Sequence, residues 1–309
     1  MGNQKKWLVS VPAATLWTAS DSPREIDLEA ITNPVNLDSW LEKLTYEPRL
    51  ELCNGNLVQS QVLYGEEVIV LEEKEGWVHV AVPSQPSSKD ERGYPGWIPK
   101  VQLAQNEDWK FKSGNAAVIQ NKKAALYSIE REPKLVLSYQ TILPVLKEDN
   151  EWIQVQTPEG EGYLKSADVK VFESIEAIPI GSGQDIITAG EQFLGLPYLW
   201  GGMSSFGYDC SGFSYSMCKA NGVIIPRDAH DQAEAGKPVE LDSIEPGDLL
   251  FFAYEEGKGK LHHVGIYYGD GKLLHSPNTG KNIEIIDLKD TIYEKELCAA
   301  RRYWQETGE

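Results

Sequence analysis

One cysteine and two histidines raise the first chemical question. Cys210 lies in YDCSGF (residues 208–213), between an aspartate and a serine, with a glycine and a phenylalanine following. A cysteine so placed can be a small buried hydrophobe, a metal ligand, half of a disulfide or a nucleophile. As a nucleophile it needs a base to take the thiol proton and later return a proton to a leaving amine. The chain has five histidines, His79, His230, His262, His263 and His275. The last three flank the segment HHVGIYYGDGKLLHSP (residues 262–277), which reads as a β-hairpin around Asp270-Gly271.

The hairpin register decides whether its histidines can act together. A two-residue Asp270-Gly271 turn puts His275 opposite Ile266 and sends His263 and His275 to opposite faces. A three-residue Gly269-Asp270-Gly271 loop puts His275 opposite Gly265. His263 and His275 then share a face as diagonal neighbours, ~7 Å apart along the backbone and closer by side chain. Gly271 suits the left-handed position of such a loop, and Gly265 leaves room for the His275 ring. The three-residue loop is therefore expected, with His262 pointing the other way by alternation. The spacing predicts a Cys210–His263–His275 constellation in which His263 is the base and His275 orients it. Two ordinary surface or hydrogen-bonded histidines are the bland alternative.

The other roles for Cys210 are weaker. The cysteines are Cys53, Cys210, Cys218 and Cys298, too few for a disulfide scaffold. On one helix Cys210 and Cys218 would stand ~12 Å apart, beyond disulfide reach. The cysteines lack CxxC pairing, and no carboxylate or second cysteine completes a metal set of Cys210 with two histidines. No metal is expected.

The element that must position Cys210 is a helix, DCSGFSYSMCKANG (residues 209–222), started by Asp209 and stopped by Gly222. Cys210 would head a stripe with Phe213, Met217 and Cys218, in the first turn, where the helix dipole favours an anion and lowers a thiol pKa. On this pattern alone, Cys210 as the first buried residue of the stripe remains open. A preceding helix is expected over residues 185–195, ended by Gly195. Apolar runs at 248–253, 263–268 and 272–276 read as strands. Helices followed by antiparallel strands imply an α+β domain.

The first half carries an internal repeat. VLEEKEGWVHV (70–80) matches VLKEDNEWIQV (145–155) with both tryptophans in register. Each copy is followed by a Gly-aromatic turn, GYPGWIPKVQL (93–103) and GEGYLKSADV (160–169). Each is preceded by a short strand, ATLWTAS (14–20) and AALYSIE (124–130). Trp17 and Trp77 are 60 residues apart but Tyr127 and Trp152 only 25, so the first copy holds about 35 extra residues. These fall mostly at about 21–56, where NLDSWLEKL (36–44) has helical spacing. Short alternating strands broken by Gly and Pro indicate two small β-barrels, with Trp77, Trp97 and Trp152 as barrel core. The expected organisation is 1–105, 106–173, a linker at 174–184, and 185–309.

Composition narrows the function class. The chain has 309 residues, 41% hydrophobic and 25% charged, with 9 Trp and 14 Tyr, which suits folded domains rather than disorder. The net charge of −18 disfavours nucleic acid and anionic wall polymers and suits a ligand bearing a free amine. No apolar run approaches the ~20 residues of a membrane helix, so no membrane partner is expected. The N-terminus shows no intact signal peptide. A secreted or wall-associated protein with its signal removed is slightly favoured over a cytoplasmic one.

LPYLWGG (196–202), YDCSGF, IPRDAHDQ (225–232), PGDLLFF (246–252) and the histidine hairpin occur in that order. Together they resemble the NlpC-type cell-wall cysteine peptidases over about residues 183–305, and the barrels resemble the SH3b modules found upstream in that family. The resemblance implies a papain-like catalytic domain, helices packed on an antiparallel sheet, preceded by two SH3-like barrels. It implies Cys210 as nucleophile, His263 as base, His275 as third polar residue, and Tyr198 beside the oxyanion with the Cys210 N–H. Asp209 and Ser211 would hold the substrate peptide, Arg227 and Asp228 would line the site, and Tyr94 of the first module would meet the substrate amine. The implied activity is that of a γ-D-glutamyl-L-diamino-acid endopeptidase. It would act on peptidoglycan stem peptides with a free N-terminal L-Ala, as a monomer without cofactor. A wall-lytic endopeptidase with SH3b anchors and a non-catalytic wall-binding protein are the alternatives.

Overall fold

A computed structural model describes residues 6–109 and 114–304. The chain divides into two compact units. The first holds the residues up to Ser84, Arg92–Ile178 and Ser204–Phe206; the second holds Gln85–Glu91, Pro179–Met203 and the residues from Gly207 on.

The repeat governs the first unit. Its first copy comprises β1 (Lys6–Val9), β2 (Ala13–Trp17), β3 (Val58–Leu63), β4 (Glu67–Lys74), β5 (Trp77–Val82), β6 (Tyr94–Pro99) and β7 (Leu103–Asn106). The second comprises β8 (Ala116–Ile119), β9 (Lys123–Tyr127), β10 (Pro133–Ser138), β11 (Ile142–Glu148), β12 (Trp152–Thr157), β13 (Gly160–Lys165) and β14 (Val169–Phe172). The sheet orders β3-β2-β6-β5-β4-β1-β7 and β10-β9-β13-β12-β11-β8-β14 are the same strand for strand. Alternation along the strands buries Val78, Val80 and Val82 with Leu16, Val62 and Ile98 in one core. Leu126, Leu143, Val155 and Leu164 fill the other. Trp152 is buried, but Trp77 and Trp97 are only half-buried, so the expectation of a core role fails for those two.

The insertion in the first copy contains a 3-10 helix (Glu25–Ala30), α1 (Leu37–Lys43) and α2 (Tyr46–Asn54). Asn36 caps α1 by accepting the Ser39 N–H. Trp40 is buried there, 6.4 Å between ring centroids from Trp17. Its Nε1 donates to the buried Asp27 at 2.8 Å.

The second unit is α+β. Six strands form an antiparallel sheet: β17 (Lys237–Val239), β18 (Leu249–Ala253), β19 (Leu261–Gly269), β20 (Lys272–His275), β21 (Glu284–Asp287) and β22 (Leu297–Arg302). Their order is β17-β22-β18-β19-β20-β21. A two-residue ladder, β15 (Met203–Ser204) with β16 (Gly207–Tyr208), precedes α4 (Cys210–Ala220). The other helices are α3 (Gly183–Glu191), α5 (Ala229–Glu234), α6 (Tyr254–Gly257) and α7 (Ile292–Glu296). A capping box between Ser182 and Asp185 starts α3. It ends at Glu191, earlier than the sequence suggests, because Phe193 and Leu194 N–H groups bond three residues back and leave turns up to left-handed Gly195. Among the described residues, no helix is long and apolar enough to cross a membrane.

Candidate active site

The site is built on the first turn of α4. Asp209 is its N-cap, with Oδ1 accepting the Gly212 N–H at 2.7 Å. Its Oδ2 accepts from the Gly201 N–H at 3.0 Å and from Arg227 Nη2 at 2.7 Å. Arg227 is 1% exposed and its Nη1 donates to Ser211 Oγ at 2.8 Å. One buried guanidinium thus ties together the residues on either side of Cys210. A Cβ on Gly212 would stand 2.1 Å from the Gly202 carbonyl oxygen, so the helix start can press against the WGG turn only with glycine there. Gln232 Nε2 donates to the Ser211 carbonyl at 3.0 Å, and the Arg227 N–H donates to the Pro86 carbonyl at 3.0 Å.

Cys210 itself is half-buried, against β19. The nearby backbone N–H groups of Val264 and Ser211 and the Arg227 charge favour its thiolate. Burial, with the neighbouring Asp209 charge, still pushes the thiol up to about 12. The expectation of a lowered thiol pKa at the helix start is therefore corrected: loss of water around the sulfur outweighs the helix dipole and the Arg227 charge.

The histidine hairpin takes the register that brings the rings together, by a route other than the expected loop. Asp270 and Gly271, both with positive φ, make a two-residue turn closing the Gly269–Lys272 pair. A bulge at Tyr268 then shifts the ladder by one, so Ile266 faces Leu274 and Tyr267 faces Leu273. His263 Nε2 lies 2.8 Å from His275 Nδ1, with ring planes at 75°. Gly265 makes the room: a Cβ there would come within 3.0 Å of the His275 Cβ and 2.8 Å of Leu273 Cδ1.

His262 does not point away as alternation would have it. The β18–β19 ladder passes from Phe252–His263 to Ala253–Leu261, so His262 is the extra residue of a bulge. Its ring stacks on Tyr254 at 4.0 Å and lies 6.4 Å from His263, while Nε2 is 2.9 Å from Glu296 Oε2.

Burial, reinforced by His275 and His262, pushes His263 well below the usual imidazole range. Burial, with Lys281 adding to it, lowers His275 to about 3. These shifts favour a thiol at Cys210 and neutral imidazoles at His263 and His275 at neutral pH.

Sequence reasoning missed Tyr293 on α7. Its ring is 5.1 Å from both the His263 and His275 rings, and burial raises its phenol to about 12, with Cys210 contributing. No motif marks TIYEKE (residues 291–296); only its aromatic residue could have drawn notice. Tyr198 is buried, pairs with Tyr208 in a parallel bridge and donates its N–H to the Lys281 carbonyl at 3.0 Å. Asp228 is half-buried and pairs with Lys89 Nζ at 3.0 Å. Tyr94 belongs to the first unit, buried on β6, with its hydroxyl donating to Gln59 Oε1 at 3.4 Å. Asp228, His230 and Asp231 bring three ligand-type atoms within 4.8 Å of one another. Asp228 and Asp231 there are engaged by Lys89 and by the Ser88 N–H.

The profile of the NlpC/P60 family matches residues 195–302, and that of the YKFC SH3b2 domain matches residues 119–172. A γ-D-glutamyl-L-lysine dipeptidyl-peptidase of Bacillus subtilis (strain 168) is 52% identical over 95% of this chain and 97% of its own length. The protein of the same name from Bacillus cereus (strain ATCC 10987) is 42% identical, over 96% and 91%. The crystal structure of an NlpC/P60 family protein from Bacillus cereus ATCC 10987 superposes with a TM-score of 0.94 at 42% identity, covering 97% of this chain and all of that one.

Proposed function

The chain belongs to the NlpC/P60 family of cysteine peptidases, and from that membership and the site's geometry we propose a specific reaction and the residues that perform it. The substrate is a peptidoglycan-derived stem peptide with a free N-terminal L-Ala. The bond cut joins the γ-carboxyl of D-Glu to the diamino acid, and the product is L-Ala-γ-D-Glu. The names of the two Bacillus relatives support L-lysine as that diamino acid. The acidic chain, at −18, suits a substrate with a protonated amine.

Cys210 is the nucleophile and His263 the base. A thiol raised to about 12 does not attack as a preformed thiolate. Its proton passes to His263 as sulfur bonds to the γ-carbonyl carbon. The Cys210 N–H at the head of α4, with Tyr198 beside it, stabilises the oxyanion. His263 then gives its proton to the departing amine, leaving a thioester. Water, deprotonated by His263, attacks that thioester, and Cys210 leaves as thiol. Asp209, Ser211, Arg227 and Asp228 shape the peptide subsite, Arg227 by holding the first two. Tyr94 reads the substrate amine. Residues 1–105 and 106–173 are two SH3b modules, joined by the linker 174–184 to the peptidase domain 185–309 of a monomer.

The observation that carries this reading is Cys210 in the first turn of α4, packed on β19, the strand that holds His263 with its Nε2 2.8 Å from His275 Nδ1. The test compares hydrolysis of L-Ala-γ-D-Glu-L-Lys with that of its N-acetylated form, with Cys210→Ala as blank. Cleavage of the free amine alone is expected. Equal cleavage of both would remove the amine-reading role and point to an endopeptidase acting on the wall.

A further inference from the structure

His275 is completely buried, and its Nε2 has no hydrogen-bond partner. Its Nδ1 is occupied by His263 Nε2. A buried ring nitrogen normally has a partner, because water is no longer available to it. Glu284 Oε1 lies 3.8 Å from that Nε2, just outside hydrogen-bond range. The approach is built into the sheet. His275 on β20 is paired directly with Glu284 on β21, and directly opposed residues project from the same face. Glu284 is on the edge strand and half-exposed, so its carboxylate can swing by the missing ångström.

We infer that Glu284 is a positioning residue that sets the tautomers of both histidines. A carboxylate only accepts. It favours His275 with the proton on Nε2 and repels the alternative, which would aim a lone pair at it. With Nε2 protonated, His275 Nδ1 must accept, so His263 Nε2 must donate to it. The His263 proton is then on Nε2, and His263 Nδ1 keeps a lone pair for the Cys210 thiol. When that proton arrives, the imidazolium is hydrogen-bonded through His275 to a negative charge, in a setting where burial otherwise disfavours it.

The groups facing His275 are His263, the Tyr293 ring, Glu284 and Lys281, whose Nζ is 3.9 Å from Glu284 Oε1. Lys281 competes for the carboxylate but cannot replace it, since an ammonium favours the opposite His275 tautomer.

This assignment rests on the reading of Cys210 and His263 as nucleophile and base. Its test does not need the substrate to be right. Long-range proton–nitrogen spectra of the imidazole-labelled full-length protein read the tautomers directly, for the unmodified protein, Glu284→Ala and Glu284→Gln. Both His263 and His275 are expected as Nε2–H in the unmodified protein. Glu284→Ala should lose the single tautomer at His275 and lower kcat about tenfold, with KM within about twofold, the hydrogen bond being remote from the substrate. Glu284→Gln, whose amide oxygen still accepts, should keep the tautomers and recover part of kcat. An Nδ1–H His275 in the unmodified protein, or a Glu284→Ala variant with unchanged tautomers, would overturn the proposal. Expected tautomers in a protein that fails to cut the tested peptides would instead fault the substrate assignment.

Discussion

Arg227 Nη2 stands 2.7 Å from Asp209 Oδ2, both side chains buried, beneath the first turn of the helix that Cys210 heads. The pair is affordable because its hydrogen bonds are made elsewhere too: Arg227 to Ser211 Oγ, Asp209 to the Gly201 and Gly212 N–H groups. Removing one partner leaves the other as an uncompensated buried charge. Arg227→Ala should therefore destabilise the protein by about 3–5 kcal/mol, read as a lower urea midpoint. Arg227→Lys keeps the charge but not the fork to Ser211, so it should fall between. A midpoint unchanged in Arg227→Ala would show that the pair does not hold the helix start.

The protonation state of Cys210 gives a second prediction. With the thiol raised to about 12, the reactive thiolate is scarce at neutral pH and grows with alkalinity. Alkylation of Cys210 by iodoacetamide, followed by peptide mapping, should speed up about tenfold per pH unit from about pH 7 to 10. Mapping matters because Cys53 and Cys298 are also partly exposed, whereas Cys218 is fully buried. A rate that is flat above pH 7 would mean a thiolate already formed in the resting protein.

The histidines act on stability in the opposite pH range. His275 is lowered from 6.5 to about 3 and His263 is lowered as well, both by burial. Between those values the unfolded chain binds protons that the folded chain refuses. The contribution is complete above about pH 6.5 and is lost as pH falls toward the folded value. For His275 the loss by pH 4.5 is roughly 2–3 kcal/mol. The His275→Asn variant should lose correspondingly less stability between pH 7 and 4.5, measured by urea unfolding at both. An equal loss in both proteins would mean that His275 is not held neutral.

Some of this was readable in the chain and some was not, for physical reasons. The register of Trp77 with Trp152 disclosed two copies of one barrel, because alternation and turn glycines are local properties, and the two sheet orders match strand for strand. The face shared by His263 and His275 was readable from the hairpin, although the shift comes from a bulge at Tyr268 rather than a longer loop. A second bulge, at His262, broke the alternation that would have turned it away. The thiol's protonation state was not readable. The helix dipole at Cys210 is visible in sequence, but the desolvation that overrides it depends on how the helix start packs against β19. Tyr293 and Glu284 come from segments without motifs, and only the packing of α7 and the β20–β21 pairing bring them to the histidines.

Gly265 offers the sharpest separation of site geometry from stability. A methyl at this position meets the His275 Cβ at 3.0 Å and Leu273 Cδ1 at 2.8 Å. Both neighbours are rooted on β20, held between β19 and β21, and can give only slightly, so the His275 ring must shift, and His263 with it. A displacement of about 1 Å at a base can cost on the order of 100-fold in rate. Gly265→Ala should thus lower kcat by about 10–100-fold with little change in KM. Gly271→Ala is the contrasting case. Its φ of +71° strains any other residue, yet nothing lies within 4 Å of the added methyl. It should cost about 1 kcal/mol of stability and leave kcat near the unmodified value. If Gly265→Ala kept full kcat, the close packing of the histidine pair would not matter to the reaction; equal kcat losses in both variants would trace the effect to hairpin stability.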